Sequence, residues 1–260
     1  MATLRLLGTA AYPRSDDTVH LLVEAGDDVL LVDAGTRIPA TLDALGHSPG
    51  DVTDIFCTHS HADHLLGVPN VLLGRFFARI DAIRATPPNG PLTVRGSHET
   101  ISDLRSLMDI VTPGLETVLH DEDTVRETRV GDTFDVGEIR VRVAPANHAV
   151  PTQALIFEGA RRIVYTADTA AAPALRDRVG ECDVVIHEAM YGDDNAELAT
   201  DLGHGTARAA GSFADATDAE ELWLVHIADS YETTTPLREQ AESEFDGRVV
   251  IPDRLDTLTV

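Results

Sequence analysis

The chain has 260 residues, 43% of them hydrophobic, with 44 acidic side chains against 20 basic ones and a formal net charge of -24. That length buries a sizeable core unaided, and the two cysteines, Cys57 and Cys182, lie in the apolar runs IFCT and ECDVVI as buried thiols of a reducing compartment, which excludes a disulfide framework or a cysteine-based zinc finger. No stretch approaches about 18 uninterrupted apolar residues and MATLRLLGTAAYP lacks the layout of a signal peptide, so a membrane span is excluded and a soluble, cytoplasmic protein is expected.

LRLLGTA (4–10), TVHLLVEAG (18–26) and DDVLLVDAG (27–35) predict three strands, the last two joined by the tight turn AGDD. Ile38, Leu42 and Leu45 at helical spacing predict a helix over 36–46, stopped by Gly46. DVTDIFCTH (51–59) predicts a strand buried on both faces that delivers His59 at its C-terminal end, where ligands of α/β sheets collect. VLLGRFFARIDAIRA (71–85) predicts a helix, followed by the breaker PPNGP, a strand LTVRG and a second helix ETISDLRSLMDIV ended by TPG. Near residue 124 the chain resets: TVRETRVGDTFDVGEIRVRVAPANH, ALIFEG, RRIVYTAD and DVVIHEA predict strands, followed by a helix over 204–216, the strand ELWLVHIA, and a last helix and strand. Both halves run strands first and helices later with no low-complexity linker between them. The expectation is one domain, 1–260, of two related halves (about 1–123 and 124–260), an α/β sandwich with helices outside two packed sheets.

Every basic residue is an arginine. So much negative charge repels itself in dilute buffer, whereas 1 M salt screens it within about 3 Å, and the composition resembles that of proteins from extreme halophiles. The acids are spread along the chain, which disfavours the alternative of a dedicated cation-binding or nucleic-acid-repelling surface. In molar salt the release of counterions has already collapsed as a driving force, so acidity does not exclude RNA as a substrate.

THSHADHLLG (58–67) places His59, His61, Asp63 and His64 within six positions. Histidines two apart on a loop can converge on one ion while the Asp and His of the following turn address a second. The buried strand before them outweighs the alternative of a solvated loop. Zinc needs three or more protein groups per ion, and His148, Asp168 and His226 each emerge directly from an apolar run, after IRVRVAPAN, IVYTA and LWLV. Three polar residues at equivalent strand ends complete a two-metal site.

LGTA near the start, VDAG with Asp33, THSHADHLLGVP, the single His148, Asp168 in TADT, HEAMYG, HGTARAA and LVHIADSY together resemble the metallo-β-lactamase superfamily, and within it the RNase Z-like branch, over nearly the whole chain. The resemblance implies a four-layer αββα fold in which His59, His61 and His148 hold one zinc, Asp63, His64 and His226 hold the other, and Asp168 bridges them; manganese or iron would satisfy the same donors. It implies a binuclear zinc-dependent phosphodiesterase or nuclease in which a metal-bound hydroxide attacks RNA or a smaller phosphodiester. Asp63 would also orient the water, and His204 of HGTA, its tautomer fixed by Glu188 of HEAM, resembles the family's proton donor to the leaving oxygen. Asp33 reads as an anchor and not a ligand. The same resemblance implies a homodimer. The alternatives are hydrolysis of another ester (thioester, sulfate ester or lactone) and a non-catalytic metal- or RNA-binding relative. HEAM with HGTA favours the phosphodiester, because an added general acid helps an alkoxide leave, and the intact ligand set argues against the non-catalytic relative.

Two features depart from the family. RNase Z enzymes that trim transfer RNA carry a long Gly/Pro-containing arm between the single histidine and the bridging aspartate, whereas 19 residues separate His148 from Asp168, room for two strands and a turn. HIADSY (226–231) lacks the arginine of the family's serine-arginine-tyrosine, which predicts a weakened contact to substrate or to a neighbouring loop. His187, beside Glu188, is a candidate support of the site, while His20, His47, His98 and His120 read as structural or solvated. Arg75, Arg79 and Arg84 read as a solvated helix face, with a phosphate contact as the alternative.

Overall fold

The first strands are apolar at almost every position, and two buried faces explain why. In this computed structural model, which describes residues 2–11, 18–81, 91–113 and 124–260, they are β1 (Thr3–Gly8), β2 (His20–Ala25) and β3 (Asp28–Val32). Leu4, Leu6, Leu21, Val23, Leu30 and Val32 point to one side, and Leu7, Leu22 and Leu31 to the other. Next come α1 (Ile38–Ala44), β4 (Asp54–Cys57), α2 (Ala62–Leu65), α3 (Val68–Asp81), β5 (Thr93–Gly96) and α4 (His98–Val111). A run of strands follows: β6 (Val125–Glu127), β7 (Thr133–Val136), β8 (Ile139–Pro145), β9 (Gln153–Glu158) and β10 (Arg162–Tyr165). The chain closes with α5 (Pro173–Val179), β11 (Val184–Glu188), α6 (Ala196–Leu202), α7 (Ala207–Asp215), β12 (Glu221–Val225), α8 (Thr235–Glu242), β13 (Arg248–Val250) and β14 (Thr257–Thr259).

The strands form two mixed sheets, ordered β14-β1-β2-β3-β4-β5-β6 and β13-β12-β11-β10-β9-β8-β7. Each is antiparallel at one end and parallel from its middle strand outward, with β3, β4, β5 and β6 parallel in the first and β10, β11, β12 and β13 in the second. The first sheet takes β6 from beyond residue 123 and β14 from the end of the chain, so strands cross the midpoint of the sequence. Leu4, Phe56, Phe157, Tyr165, Ile186 and Trp223 fill the space between the sheets. Ile38 and Leu42 of α1, Val71 of α3 and Leu104 of α4 cover the outer face of the first sheet, and Leu175 of α5, Phe213 of α7 and Leu237 of α8 that of the second. Three apolar layers between four layers of secondary structure make the αββα sandwich.

The helix expected over 71–85 begins earlier, at Val68, because Pro69 sits in a first turn where no amide needs an intrahelical partner; residues 82–85 and His120 lie outside the described residues. The helix expected from 204 begins at Ala207, since the Thr206 hydroxyl accepts the Ala209 N–H at 3.2 Å and caps it there. His204 is thereby left outside the helix, where its ring can turn into the cleft. The short helices α2, α5 and α6 carry too few turns for a periodic signal. Between His148 and Asp168 the antiparallel pair β9–β10 occupies the connection, in register Arg162 to Glu158, and no arm is present there. Among the described residues no helix is long and apolar enough to cross a membrane.

Candidate metal centre

Strand ends build the site. His59 follows β4, His61 caps α2, and Asp63 and His64 lie in that helix's single turn, so a short loop and a tight helix place four polar groups on one wall. His148 follows β8, Asp168 follows β10, and His226 follows β12 on the opposite sheet. Asp33, Ala167 and His226 adopt left-handed backbone (φ 60°, 52° and 56°), which turns the chain sharply off β3, β10 and β12 toward the cleft. Gly67 permits the two walls of the first sheet to meet, because a β-carbon there would stand 1.7 Å from the Gly35 carbonyl oxygen.

The seven residues expected as metal ligands converge, with His204 beside them. His59, His61, His148 and Asp168 form one group, Asp63, His64 and His226 a second, and Asp168, His204 and His226 a third, with potential ligand atoms in each within 4.8 Å of one another. Asp168 belongs to two of the three. His148 Nε2 lies 3.1 Å from His61 Nδ1, His226 Nε2 lies 3.3 Å from Asp63 Oδ2 and 3.4 Å from Asp168 Oδ2, and His64 Nε2 lies 3.4 Å from Asp168 Oδ2. Four ligands at about 2.0–2.1 Å from a tetrahedral zinc stand about 3.3 Å apart, so the donor set fits that ion. The buried His59 Nε2 and His64 Nε2 have no hydrogen-bond partner, which two inward-facing imidazole nitrogens of a divalent-metal site require.

The other ring nitrogens are held from behind. Asp33 accepts the Thr58 N–H at 2.7 Å on one oxygen, and on the other the Thr58 hydroxyl at 2.7 Å and His64 Nδ1–H at 2.9 Å. Thr58 Oγ1 in turn accepts His59 Nδ1–H at 3.0 Å. One carboxylate therefore sets the tautomer of two imidazoles. His148 Nδ1–H donates to the Gly203 carbonyl at 2.7 Å, and Gly203 is left-handed (φ 76°) with its α-hydrogen side against the backbone of Ala149.

Burial lowers His59, His61 and His148, keeping them neutral, the form in which imidazole binds a cation. Burial alone would also lower His64 and His226, but Asp168 and Asp33 raise the first well above its ordinary value, and Asp168 with the bond to Asp63 raises the second. Burial would raise Asp168 and Asp63, yet His226 and His64 outweigh it and hold both below the carboxylate range. Without metal, protons on His64 and His226 balance the carboxylates; a divalent cation takes over that role and releases them.

His204 stands at the rim, its ring stacked on His226 with centroids 5.3 Å apart. Glu188, 1% exposed, accepts His204 Nδ1–H at 2.9 Å and the Thr169 N–H at 2.8 Å on Oε1, and the Met190 N–H at 3.1 Å on Oε2. Beside His148 a cavity of about 500 Å³ is walled by Val130, Pro145, Val150 and Pro151.

Other expectations do not reach the site. His187 points to the far face of β11, where its ring packs on Phe213 and its Nδ1–H donates to the Glu188 carbonyl. Arg75 is not on a solvated face: it is 4% exposed and donates to the carbonyls of Gly50 and Val52. Arg84 lies outside the described residues. His20 is structural, accepting the Gly35 N–H at 3.2 Å, while His47 pairs with Glu24 and the exposed His98 with Glu127. Thr58, Thr169 and Gly203 were not singled out by sequence; the one available signal was their position directly beside His59, Asp168 and His204.

Two seven-stranded sheets under helices, with a buried His/Asp cluster at the strand ends, define a metal-dependent hydrolase of the metallo-β-lactamase fold. The chain belongs to the Anti-Pycsar protein Apyc1 family, whose sequence model matches residues 2–245, and is RNase Z-like within the metallo-β-lactamase superfamily. It is 31% identical to the Ribonuclease Z of Pyrobaculum neutrophilum over 289 aligned residues, which cover 99% of this chain and 98% of that relative. Two solved structures share the fold: the metallo-β-lactamase fold protein YhfI from Bacillus subtilis (TM-score 0.78, 20% identity) and human tRNase Z, short form (TM-score 0.73, 19% identity), each with 99% of this chain and 98% of that chain covered. The enzyme class is that of metal-dependent phosphodiesterases.

Proposed function

We propose that the chain cleaves phosphodiesters with a pair of zinc ions, one held by His59, His61 and His148, the other by Asp63, His64 and His226, with Asp168 between them. The observation that carries this reading is the convergence of the unpartnered His59 Nε2 and His64 Nε2 with Asp168 and His204 on one cleft. Manganese or iron suits the same donors. When bound, such ions polarise a phosphoryl oxygen and lower the pKa of water. Asp63, at the mouth of the cleft, orients the attacking water. His204 gives Nδ1–H to the Glu188 carboxylate, and in the protonated ring Nε2–H donates to the departing oxygen.

The relatives' name supports RNA as a substrate. The β9–β10 connection leaves the transfer RNA elbow without its usual grip, which favours substrates that reach the cleft by themselves: unstructured RNA ends or small phosphodiesters, their bodies seated in the cavity beside His148. On the same footing the chain is one domain of two related halves. Its buried thiols Cys57 and Cys182 suit the cytoplasm, its charge suits molar salt, and Leu198 and Leu202, exposed on α6, suit a homodimer.

The test is incubation of zinc-loaded protein in molar potassium chloride with an end-labelled transfer RNA precursor bearing a 3′ extension, an unstructured RNA, and bis(p-nitrophenyl) phosphate, with Asp168→Ala as control. Cleavage of the unstructured RNA or the small diester, lost in the variant, is expected. A single cut at the discriminator would show that the arm is dispensable, and no Asp168-dependent product on any substrate would sink the phosphodiester reading.

A further inference from the structure

Tyr231 follows His226 on the loop into α8, and its hydroxyl serves one segment only. It accepts the Gly192 N–H at 2.7 Å and the Asn195 side-chain N–H at 3.4 Å, and donates to Asp194 Oδ1 at 2.9 Å. A phenolic hydroxyl has one proton and two lone pairs, so all three are used. The segment it holds runs on from Glu188 and is stitched to both sides of the Glu188–His204 pair. The Met190 N–H donates to Glu188 Oε2 at 3.1 Å, the Ala207 N–H to the Tyr191 carbonyl at 3.0 Å, and the Ala228 N–H to the Met190 carbonyl at 3.2 Å. Gly192 has little slack against α8, since a β-carbon there would come within 2.9 Å of Asp194 Oδ1 and Gln240 Oε1 and 3.0 Å of Leu237 Cδ2. Tyr231 thus closes a frame from the His226 loop, through 192–195 and Tyr191, to the start of α7 and His204.

We propose that Tyr231 is a positioning residue for the proton donor: by clamping 192–195 it keeps the Glu188–His204 pair in register with the metal ligands. Its contribution is confined to substrates whose leaving oxygen needs a proton, and the proposal rests on the role given to His204 above. A misplacement of about 1 Å costs on the order of 100-fold in a positioned proton transfer, and losing the three bonds of the Tyr231 hydroxyl displaces the pair by less.

The experiment uses zinc-loaded Tyr231→Phe in molar potassium chloride with two diesters. The phenolate of bis(p-nitrophenyl) phosphate leaves unprotonated, whereas the ribose alkoxide of the dinucleotide UpU does not. Expected on UpU is a fall in kcat of about tenfold or more at unchanged KM and zinc content, against less than about twofold on the aryl diester. Combining the change with His204→Ala is expected to add no further loss. Equal losses on both esters, no loss on UpU, or losses additive with His204→Ala would overturn the proposal. A readout independent of turnover is the downfield proton resonance of His204 Nδ1–H, identified by its absence in His204→Ala. Faster solvent exchange in Tyr231→Phe supports the clamp, and unchanged exchange overturns it. If the wild type cleaves neither ester, the proposed function falls while the resonance still decides on Tyr231. Should Tyr231→Phe not fold, Gly192→Ala displaces the same segment and is held to the same two readouts.

Discussion

Replacing Asp33 by asparagine isolates what one buried carboxylate does for the metal. Asp33 is 0% exposed and orients His64 directly and His59 through Thr58. In asparagine the carbonyl oxygen keeps the Thr58 N–H, but the amide nitrogen faces Thr58 Oγ1–H and His64 Nδ1–H, donor against donor. His64 escapes by moving its proton to Nε2, which points it into the metal cleft where a lone pair is needed, and Thr58 turning round undoes the hold on His59. Loss of such a support costs about 10–100-fold in metal affinity, or about 1.4–2.7 kcal/mol, and the upper end is expected because two ligands depend on it. In the metal-free fold the change removes a buried charge that burial disfavours but also the partner that helps hold the proton on His64, so stability is followed separately from zinc affinity. Competition with a chromophoric chelator measures zinc affinity and a thermal melt of the metal-free protein measures stability. Zinc affinity within about threefold of wild type, on a scale where tenfold is 1.4 kcal/mol, would refute the reasoning.

Burial holds His20 down to about 3. Its folded value is depressed, so the unfolded chain takes up the proton first: stability is intact above about 6.5 and is lost as pH falls toward about 3, by up to about 1.4 kcal/mol per unit. His20→Gln, studied metal-free, is expected to flatten that slope by about one proton in denaturant titrations at successive pH values, and an unchanged slope would remove His20 from the account. Gly67→Ala drives a β-carbon into the Gly35 carbonyl and is expected to destabilise by at least about 3 kcal/mol, with zinc lost as well; an unshifted melt would mean the turns can separate. Arg75→Met strips the Gly50 and Val52 carbonyls of their donor and is expected to cost about 2–4 kcal/mol at unchanged KM. A raised KM with intact stability would restore the phosphate contact.

The His/Asp cluster was legible because most of its members stand at or close to the end of an apolar run, and a strand that must bury both faces has nowhere to put a polar side chain except at its end; His61, four residues from Cys57 and from Leu65, was legible by its spacing from His59. The sheets were legible for the same reason. Parity misled at His187: it neighbours Glu188 in sequence, but adjacent residues on a strand face opposite ways, and only Glu188 faces the cleft. Arg75 sits on a helix whose exposed side is not marked by periodicity, since the surface it buries against, Gly50–Val52, is a connection with no pattern of its own. Gly203 was invisible because its part is played by a carbonyl serving His148, 55 positions away, and backbone atoms carry no sequence signature.

The left-handed turns at Asp33, Ala167 and His226 have a consequence for how the protein fails. Each costs about 1–3 kcal/mol that the surrounding contacts must hold in place, so a loosened strand end relaxes into an ordinary basin and swings its polar group out of the cleft. Damage at these three corners is therefore expected to surface first as a protein that folds but no longer retains its metal. Marginal variants of this chain would be sorted by metal occupancy well before they are sorted by melting temperature.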